Sequence, residues 1–429
     1  MALRVDEDGR GVVALVIATD PEQRQALHAP ALDPDAMVAV PDSAGLTTLL
    51  LAPDPLEVLA QLITADVRIT HISLYQLGNG VDRASGFFGR ERELAHILNR
   101  DLTNYFLVAG RQIGKTSLMK EIERSCRRLS GLDTRYCSLT DADSVAPLAA
   151  VLGLEVDAGV EAVLAALPAA PKTRRLVLID EADAFVAAEV ERGFPLLSAF
   201  RKLSVEGRVH FILAGFWDLY RVVGLDYQSP LRNFGEELRL GPLEHDACIA
   251  LATKPMAALN LTYADPALPE RIFERTGGRA NLIAIVCAGL VAKIDLRKRV
   301  IDAEAVEMAL SQDTIFSALK GWDRLSGNRP EVFADNRLDR LIVYATVGAD
   351  EFTIASLQRR LADLGAPHPA PEIDRALLRL QIAAIVRRGS GGVYRYCVPL
   401  FVDMLRECDL EQAVRQEVEA DSARIEYIQ

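Results

Sequence analysis

The sequence has little of what marks a nucleic-acid coat protein or a membrane protein. Its 429 residues contain 48 Lys and Arg against 60 Asp and Glu, a formal net charge of −12. That balance argues against coating nucleic acid through bulk electrostatics, although it leaves room for a local basic patch. No uninterrupted apolar stretch approaches the ~20 residues that span a bilayer, and the start, MALRVDEDGRG, is unlike a secretory signal. We therefore expect a cytoplasmic protein with no membrane partner.

Paired cysteines are also missing. The six cysteines are scattered without a C-x-x-C pair, and most lie in apolar segments such as LIAIVCAGLV. This pattern is typical of buried, reduced thiols, so we expect neither a zinc site nor a disulfide framework. Half of the residues are hydrophobic and a quarter are charged, which is a globular composition. The length predicts about two to four domains.

The first segment, residues 1–70, is predicted to be a small α/β unit. Its predicted elements are a strand from Val12, a helix at Pro21–His28, apolar runs at Met37–Val40 and Thr47–Leu51, and a helix at Pro55–Ile63. It contains no recognisable catalytic constellation, so roles as an adaptor, a recognition domain or the remnant of an effector all stay open. A Gly- and Ser-rich linker, residues 71–86, follows it.

Residues 87–243 alternate short apolar runs with helical patterns, which predicts βαβ units and a largely parallel sheet. The predicted strands are Tyr105–Val108, Thr134–Ser138, Leu176–Ile179, Val209–Leu213 and Glu237–Leu240. Residues 244–330 have a helical pattern throughout, without strand-like alternation. In residues 331–410 three helical segments (LDRLIVYATV, TIASLQRRLADLG and EIDRALLRLQ) precede two strands around a Gly-rich turn, which is the order of a winged helix. Residues 411–429 form a C-terminal tail.

The segment AGRQIGKTS, Ala109 to Ser117, nearly matches the phosphate-binding loop G-x-x-x-x-G-K-[ST], with Ala109 in place of the first glycine. An apolar strand precedes it and a helical pattern follows it, which is the strand-loop-helix context that such a loop needs. Lys115 is expected to reach the β- and γ-phosphates, and the Thr116 hydroxyl to ligate Mg²⁺. The predicted nucleotide-binding residues of the loop are Gly110, Arg111, Gln112, Ile113, Gly114, Lys115, Thr116 and Ser117.

A second motif, RRLVLIDEADAF, places Asp180 and Glu181 directly after four apolar residues. Mg²⁺-dependent phosphoanhydride chemistry needs such a carboxylate pair, with Asp180 holding the metal through water and Glu181 acting as general base. We therefore predict binding of ATP or ADP with Mg²⁺, and ATP hydrolysis. The neighbouring strand ends in Ala214-Gly215, without an Asn, Ser or Thr to sense the γ-phosphate. That absence predicts slow hydrolysis.

Six segments in order resemble the STAND-type and archaeal-type ATPases, which are relatives of the AAA+ initiator ATPases. They are FFGRERELAHIL, AGRQIGKTSL, VLIDEAD, HFILAGFWDLY, SPLRNFGEELRLGPL and TGGRANLIAIVC. The resemblance covers Tyr75 to Cys408, and F-x-G-R-E-x-E-L and the two Walker motifs are its specific parts. It implies that the adenine and ribose side is lined by Phe88, Gly89 and Arg90, with Tyr75 and Gln76 from the linker.

The predicted fold class is therefore α/β: a P-loop NTPase core of the AAA+ or STAND kind with a helical lid, a C-terminal winged helix and a small N-terminal α/β unit. One departure from the family pattern is Ala280, which takes the proline position of the lid motif G-G-x-P. Like the missing sensor residue, Ala280 at this position predicts slow ATP hydrolysis and does not affect the prediction of nucleotide binding.

Two arginines outside the motifs are weaker candidates. Arg232, in SPLRNF, is either an arginine finger offered to a neighbouring subunit or a solvated surface residue. Arg279, in TGGRANL, either contacts phosphate from the lid or simply lies at the start of a helix. The sequence does not choose between these readings.

The winged-helix segment carries arginines where groove and phosphate contacts with DNA would need them. The candidates are Arg375 and Arg379 on the third helix and Arg387, Arg388 and Arg395 on the wing. Many acids in the same segment bring its net charge close to neutral. The resemblance implies a different role, in which the module packs on the nucleotide site and holds a closed state, and we favour that role slightly.

The leading functional hypothesis is an ATP-dependent switch in prokaryotic signalling or defence, whose γ-phosphate controls domain arrangement and self-association into a homo-oligomer. The alternative is a DNA-binding initiator or mobile-element regulator that uses ATP to assemble on duplex DNA. A third reading is a nucleotide-locked scaffold without useful turnover. A protein partner is compatible with each of the three.

Overall fold

The computed structural model describes most of the chain after residue 84 and less of the chain before it. The described residues are 14–18, 20, 38–53, 55, 58–59, 62, 75, 77–78, 80–81, 84–139, 145–155, 157–169, 173–294, 299–326 and 332–428, with side chains up to 420 in the last range. Gln76, the helix predicted at Pro21–His28 and most of the helix predicted at Pro55–Ile63 lie outside these ranges.

The chain divides into two compact units. The first comprises Met1–Leu77, Ile249–Phe273 and Ile283–Gln312, and the second Gly78–Cys248, Glu274–Leu282 and Asp313–Gln429. The second unit therefore contains the phosphate loop, the segment around Arg279 and the entire C-terminal part. The domain boundaries predicted from sequence stay a prediction.

The N-terminal part of the first unit contains a two-residue parallel strand pair and a helix. Strand β1, Ala14–Leu15, pairs with β2, Val38–Ala39. Helix α1, Ser43–Leu51, begins where the Asp42 carboxylate accepts a hydrogen bond from the Gly45 amide at 2.6 Å, and such a cap satisfies one of the free amides of the first turn. The apolar run at 47–51 is thus the end of a helix.

The second unit is built on a five-stranded parallel sheet. Its elements in chain order are α2 (Glu91–Leu98), β3 (Tyr105–Val108), α3 (Lys115–Cys126), β4 (Leu132–Ser138), α4 (Val145–Leu152), α5 (Val160–Ala166), β5 (Arg174–Asp180), α6 (Asp183–Arg192), α7 (Pro195–Val205), β6 (Val209–Gly215), α8 (Trp217–Tyr220) and β7 (Glu236–Arg239). The strand order is β4-β5-β6-β3-β7. All five predicted strands are present, and their bounds differ from prediction by at most two residues.

The three central strands of this sheet, β3, β5 and β6, are buried on both faces, which is why they are continuous apolar runs. On one face Leu107 and Leu178 pack against Leu118 and Ile122 of α3. On the other face the Phe211 ring stacks on Phe200 of α7 at 4.4 Å between centroids. Parallel strands end at one edge of a sheet, so the loops after β3, β5 and β6 meet there.

The lid region, predicted to be helical throughout, also contains two short strands. Its elements are α9 (His245–Ala258), β8 (Thr262–Tyr263), α10 (Ala267–Thr276), α11 (Ala280–Lys293), β9 (Val300–Ile301) and α12 (Ala303–Leu310). Strands β8 and β9 pair in parallel within the first unit. Two residues are too few to produce a period-two pattern, so the prediction of helices alone was wrong at these positions.

The C-terminal part contains the three helices and two strands that the sequence predicts. Its elements are α13 (Asp313–Leu319), α14 (Phe333–Thr346), α15 (Ile354–Asp363), α16 (Ala370–Ile382), β10 (Val386–Arg388), β11 (Tyr394–Tyr396), α17 (Pro399–Arg406) and α18 (Leu410–Ile428). Strands β10 and β11 form an antiparallel hairpin. We refer to residues 332–406 as the C-terminal module. Helix α18, which covers the predicted tail, is tied to α14 by two hydrogen bonds of 2.6 and 2.9 Å from Arg340 to Glu417.

The C-terminal module contains a buried ion pair. Arg379 of α16 is 1% exposed and Asp339 of α14 is fully buried, and the guanidinium donates to both carboxylate oxygens at 2.8–3.1 Å. The Arg379 guanidinium also lies 5.0 Å from the ring centroid of Trp217, which belongs to α8 beside the sheet. Breaking such a buried pair by removing one partner costs about 3–5 kcal/mol. The pair therefore fixes α16 against α14 and places it next to the sheet.

Candidate nucleotide-binding site

The loop between β3 and α3 has the geometry of a phosphate-binding loop. Helix α3 begins at Lys115, so its N-terminus, where free amides and the positive end of the helix dipole lie, follows the loop directly. The Lys115 ammonium is held by the Ala109 and Gly110 carbonyl oxygens, each at 3.1 Å. Ala109 is fully buried in the core cluster, and its amide donates to the Gly215 carbonyl at 3.2 Å. A methyl group thus fits where the motif usually has glycine.

The linker side of the loop is closed by residues 80 and 81. The Val81 amide donates to the Ser117 hydroxyl at 3.1 Å, and the Lys120 ammonium donates to the Gly80 carbonyl at 3.3 Å. Gly80 lies against Thr116 so closely that a Cβ on it would be 2.5 Å from the Thr116 methyl carbon. The predicted magnesium ligand Thr116 is therefore positioned by the linker as well as by its own helix.

Two carboxylates follow β5, as the sequence predicts. Asp180 is 1% exposed; its Oδ1 accepts from the Glu181 amide at 2.9 Å and its Oδ2 from the Tyr136 hydroxyl at 3.1 Å. Glu181 is exposed and has a φ of 52°, in the left-handed region. Burial, followed by the Asp180 charge, raises the pKa of the Tyr136 phenol, which therefore remains a hydrogen-bond donor.

The end of β6 is supported by Asp183. Its two carboxylate oxygens accept from the Phe216 amide at 2.7 Å and the Leu219 amide at 3.1 Å, so Asp183 caps the short helix α8. Burial raises the pKa of Asp183 despite these bonds and the nearby Lys115 charge. A carboxylate from α6 thus organises the strand end at which a γ-phosphate sensor would stand, and the strand itself supplies no polar side chain there.

The residues predicted to line the adenine and ribose side have other contacts. Arg90 is 3% exposed, and one of its nitrogens donates to the Ile113 and Gly241 carbonyls at 3.1 and 2.5 Å. Arg90 therefore ties the phosphate loop to the chain after β7. In the first unit, the Tyr75 hydroxyl donates to the Leu251 carbonyl at 3.3 Å. Roles for Phe88, Gly89 and Tyr75 at the nucleotide base stay a prediction.

The C-terminal module lies directly on the phosphate loop. The Gly110 amide donates to the carbonyl of Ile382, the last residue of α16, at 2.9 Å. A Cβ on Gly110 would lie 2.7 Å from the Ala383 Cα, so only glycine permits this approach. Ala384 is part of the same apolar cluster as Ala109 and Ile113.

Arg279 completes this contact. Its Nη2 donates to the carbonyls of Ala383 and Ala384 at 2.6 and 3.2 Å, and burial lowers its pKa. Next to it, the Asn281 amide donates to the Gln112 side-chain oxygen of the loop at 2.9 Å. Arg279 and the first turn of α11 therefore contact the C-terminal module and the phosphate loop, respectively. The side chain of Arg279 thus makes long-range contacts, so this residue does more than lie at the start of a helix.

The polar groups of the site fit a nucleotide with Mg²⁺. The buried Arg279 Nε has no hydrogen-bond partner among the described residues, and the Lys115 ammonium donates to the main-chain oxygens of Ala109 and Gly110. An anion with several oxygens would satisfy such donors. The oxygens of Thr116 and Asp180 are the hard ligands that Mg²⁺ prefers. Exposed Arg111 and Gln112 border the loop.

The remaining candidate arginines differ in exposure and in their contacts. Arg379 is buried on Asp339, so it cannot reach a DNA phosphate in this arrangement, and its prediction as a DNA contact is wrong here because α16 turns that face inward. Arg395 pairs with Glu351, with Nε at 2.9 Å. Arg375, Arg387 and Arg388 are exposed. Arg232 stacks over the ring of Tyr227 at 3.8 Å.

Several solved structures are similar to this chain. The Walker-type ATPase PABY2304 of Pyrococcus abyssi matches with a TM-score of 0.54 and 18% identity, over 77% of this chain and 99% of that one. The ORC2 protein of Aeropyrum pernix has a TM-score of 0.43 and 16% identity over 83% and 98%. The RuvB Holliday junction branch migration motor of Thermotoga maritima has 0.40 and 18% over 73% and 94%. No protein-family model and no curated protein matches the chain.

The likeness to the Pyrococcus ATPase confirms the predicted fold class at the level of a mixed α/β P-loop NTPase fold with a parallel five-stranded sheet. The AAA+ assignment stays a prediction. The STAND subtype and the winged-helix assignment stay predictions. Among the described helices, none has both the length and the apolar character that crossing a membrane requires.

The close contact of Gly80 with Thr116 leads to a prediction. Gly80→Ala should weaken Mg²⁺–nucleotide binding about tenfold, because overpacking costs about 1–3 kcal/mol and would displace the Thr116 side chain. Gly78→Ala is the matched control, since a Cβ there meets nothing within 4 Å. Calorimetric titration with ATP and Mg²⁺ measures both variants, and equal affinities would show that the Gly80 contact has no part in binding.

Proposed function

We propose that this protein is an ATP-binding switch in which the C-terminal module rests on the phosphate loop until the γ-phosphate displaces it. The observation that carries the proposal is the pair of contacts made by the end of α16: the Gly110 amide on the Ile382 carbonyl, and Arg279 on the carbonyls of Ala383 and Ala384. In this arrangement the module is docked and the nucleotide site is restricted.

The physical reason is a competition for the same donors. The last carbonyls of a helix lack partners within the helix and carry the negative end of its dipole. At α16 they are satisfied by the phosphate loop and by Arg279. A γ-phosphate held by Lys115 would bring further negative charge to this end of the loop and would attract Arg279 more strongly than neutral carbonyls do.

The expected coupling is large enough to act as a switch. A hydrogen bond to a charged group contributes about 1.5–3 kcal/mol. If ATP and the docked module compete for Arg279, ATP therefore shifts the docking equilibrium about ten- to a hundredfold, whereas ADP, which lacks the γ-phosphate, shifts it less.

Slow hydrolysis would return the switch to its docked state. In this proposal Thr116 and Asp180 hold Mg²⁺, which when bound neutralises charge on the phosphates. Glu181 is exposed beside Asp180 and orients the attacking water as general base. At the end of β6 there are main-chain groups and the cap from Asp183, but no polar side chain that could contact the γ-phosphate. This absence supports a low rate of ATP hydrolysis.

Self-association in the ATP-bound state is a further part of the proposal. Arg232 stacks on Tyr227, whose side chain is 77% exposed, so the pair is available on the surface to a second copy of the chain. Such an assembly would give the switch an output suited to signalling or regulation. The nucleotide site would then bind ATP, and the half-buried Arg232 would contact the nucleotide of the neighbouring subunit.

Hydrogen exchange tests the switch. ATP with Mg²⁺ should increase amide exchange at Ile382–Ile385 in the wild type by tenfold or more, and ADP should not. The reason is that undocking exposes this buried segment to solvent and leaves the end of α16, whose carbonyls lose their partners on the loop and Arg279, free to fray. Lys115→Ala should abolish the response, since that variant loses ATP binding. Gly110→Ala should show fast exchange without nucleotide, because its Cβ collides with Ala383.

The matched control is Gly348→Ala in the same module, where a Cβ meets nothing within 4 Å, and it should behave as the wild type. The proposal fails if ATP binds in a Lys115-dependent manner and exchange at 382–385 stays unchanged. Absence of ATP binding in the wild type would overturn it at an earlier step.

The second candidate function is ATP-controlled DNA binding through the wing. The exposed Arg387 and Arg388 on β10 favour it. Against it, the end of α16, the helix that would enter a groove, lies on the phosphate loop, and Arg379 is buried. Reversing Arg387 and Arg388 to Glu should weaken DNA binding at least tenfold and reduce its salt dependence, measured by fluorescence anisotropy with ATP. No DNA affinity of the wild type at low salt would exclude this function.

A further inference from the structure

A tyrosine on the neighbouring strand contacts the predicted metal-binding carboxylate. Tyr136 of β4 is in register with Leu178 of β5, and Ser138 with Asp180. Alternate residues of a strand share a face, so Tyr136, Leu178 and Asp180 are on the same side of the sheet, the side that α3 covers. From there the Tyr136 hydroxyl reaches the carboxyl edge and donates to Asp180 Oδ2 at 3.1 Å.

The contact determines how Asp180 is held. Asp180 is almost fully buried, and a buried carboxylate oxygen without a donor is unfavourable. Each carboxylate oxygen accepts one hydrogen bond from the described residues: Oδ1 from the Glu181 amide and Oδ2 from the Tyr136 hydroxyl. The main-chain bond comes from the adjacent residue. Tyr136 is thus the side chain, from a different strand, that fixes the carboxylate plane.

We propose that Tyr136 is a positioning residue for magnesium binding, holding Asp180 in the orientation in which its remaining lone pairs accept hydrogen bonds from metal-bound water. The inference rests on the proposed function in so far as the site takes Mg²⁺ with a nucleotide. A carboxylate has about four lone-pair sites, so one bond to each oxygen leaves others for the metal's water. Residues that orient a metal's ligands commonly change metal affinity by about 10–100-fold when removed.

A magnesium titration of nucleotide binding tests the inference. Tyr136→Phe removes only the hydroxyl. Measured with a fluorescent ATP analogue, its affinity in EDTA should stay within about twofold of the wild type, because the phosphate loop is unchanged. The Mg²⁺ concentration that gives half of the magnesium-dependent gain in affinity should rise about tenfold.

Tyr105→Phe is the matched control, since it also removes a strand tyrosine hydroxyl, one that donates to the His96 carbonyl at 3.3 Å. Its magnesium midpoint should equal that of the wild type, although its stability is also reduced. In an Asp180→Asn background, Tyr136→Phe should have no additional effect on the midpoint, because it acts through Asp180.

An unchanged magnesium midpoint in Tyr136→Phe, with a wild type that binds nucleotide and responds to Mg²⁺, overturns the inference and leaves the proposed function standing. Equal shifts in Tyr136→Phe and Tyr105→Phe also overturn it, because they would reflect a general loss of stability. A wild type that binds no nucleotide overturns the proposed function itself, and the inference with it.

Discussion

The contact between the end of α16 and the phosphate loop is the interaction on which the arrangement of the second unit depends. Three kinds of group meet there: an amide of the loop, the guanidinium of Arg279 and the last carbonyls of a helix. Each would otherwise be a buried polar group without a partner, which is costly. Because they satisfy one another, they join the five-stranded sheet, the segment before α11 and the C-terminal module.

The surrounding packing makes this contact specific. Gly110 is the loop residue with room for the main chain of Ala383, and the small side chains of Ala109 and Ala384 close the apolar cluster below. Arg379 and Asp339 fix α16 within its module and bring it next to Trp217 of α8. A movement of the chain at the end of β6 would therefore occur close to α16, whose last residues cover the phosphate loop. A nucleotide-dependent switch needs such a connection between the nucleotide site and the C-terminal module.

Much of the fold could be predicted from the sequence, because its signals are local. Buried parallel strands are continuous apolar runs, and the phosphate loop is a contiguous motif whose strand and helix flank it. The strands β8 and β9 could not be predicted, since two residues show no period. The charge on Arg379 suggested a DNA contact, and its true partner, Asp339, lies forty residues away on another helix.

The site was predictable to a similar extent. Lys115, Thr116, Asp180 and Glu181 follow from motif spacing. Tyr136 and Asn281 do not. The partner of Tyr136 depends on strand register and that of Asn281 on the packing of the lid segment, and neither can be deduced from spacing in the sequence. The role of Arg279 depends in the same way on a main chain more than a hundred residues further on.

Electron spin resonance distances test the central claim, that ATP and the docked module exclude each other. Spin labels at the exposed positions Arg128 and Ser390, in a chain whose exposed Cys408 is replaced by Ser, report the separation of the sheet and the module. We expect one narrow distribution without nucleotide and with ADP, and a longer, broader one with ATP and Mg²⁺. The same narrow distribution under saturating ATP would contradict the switch.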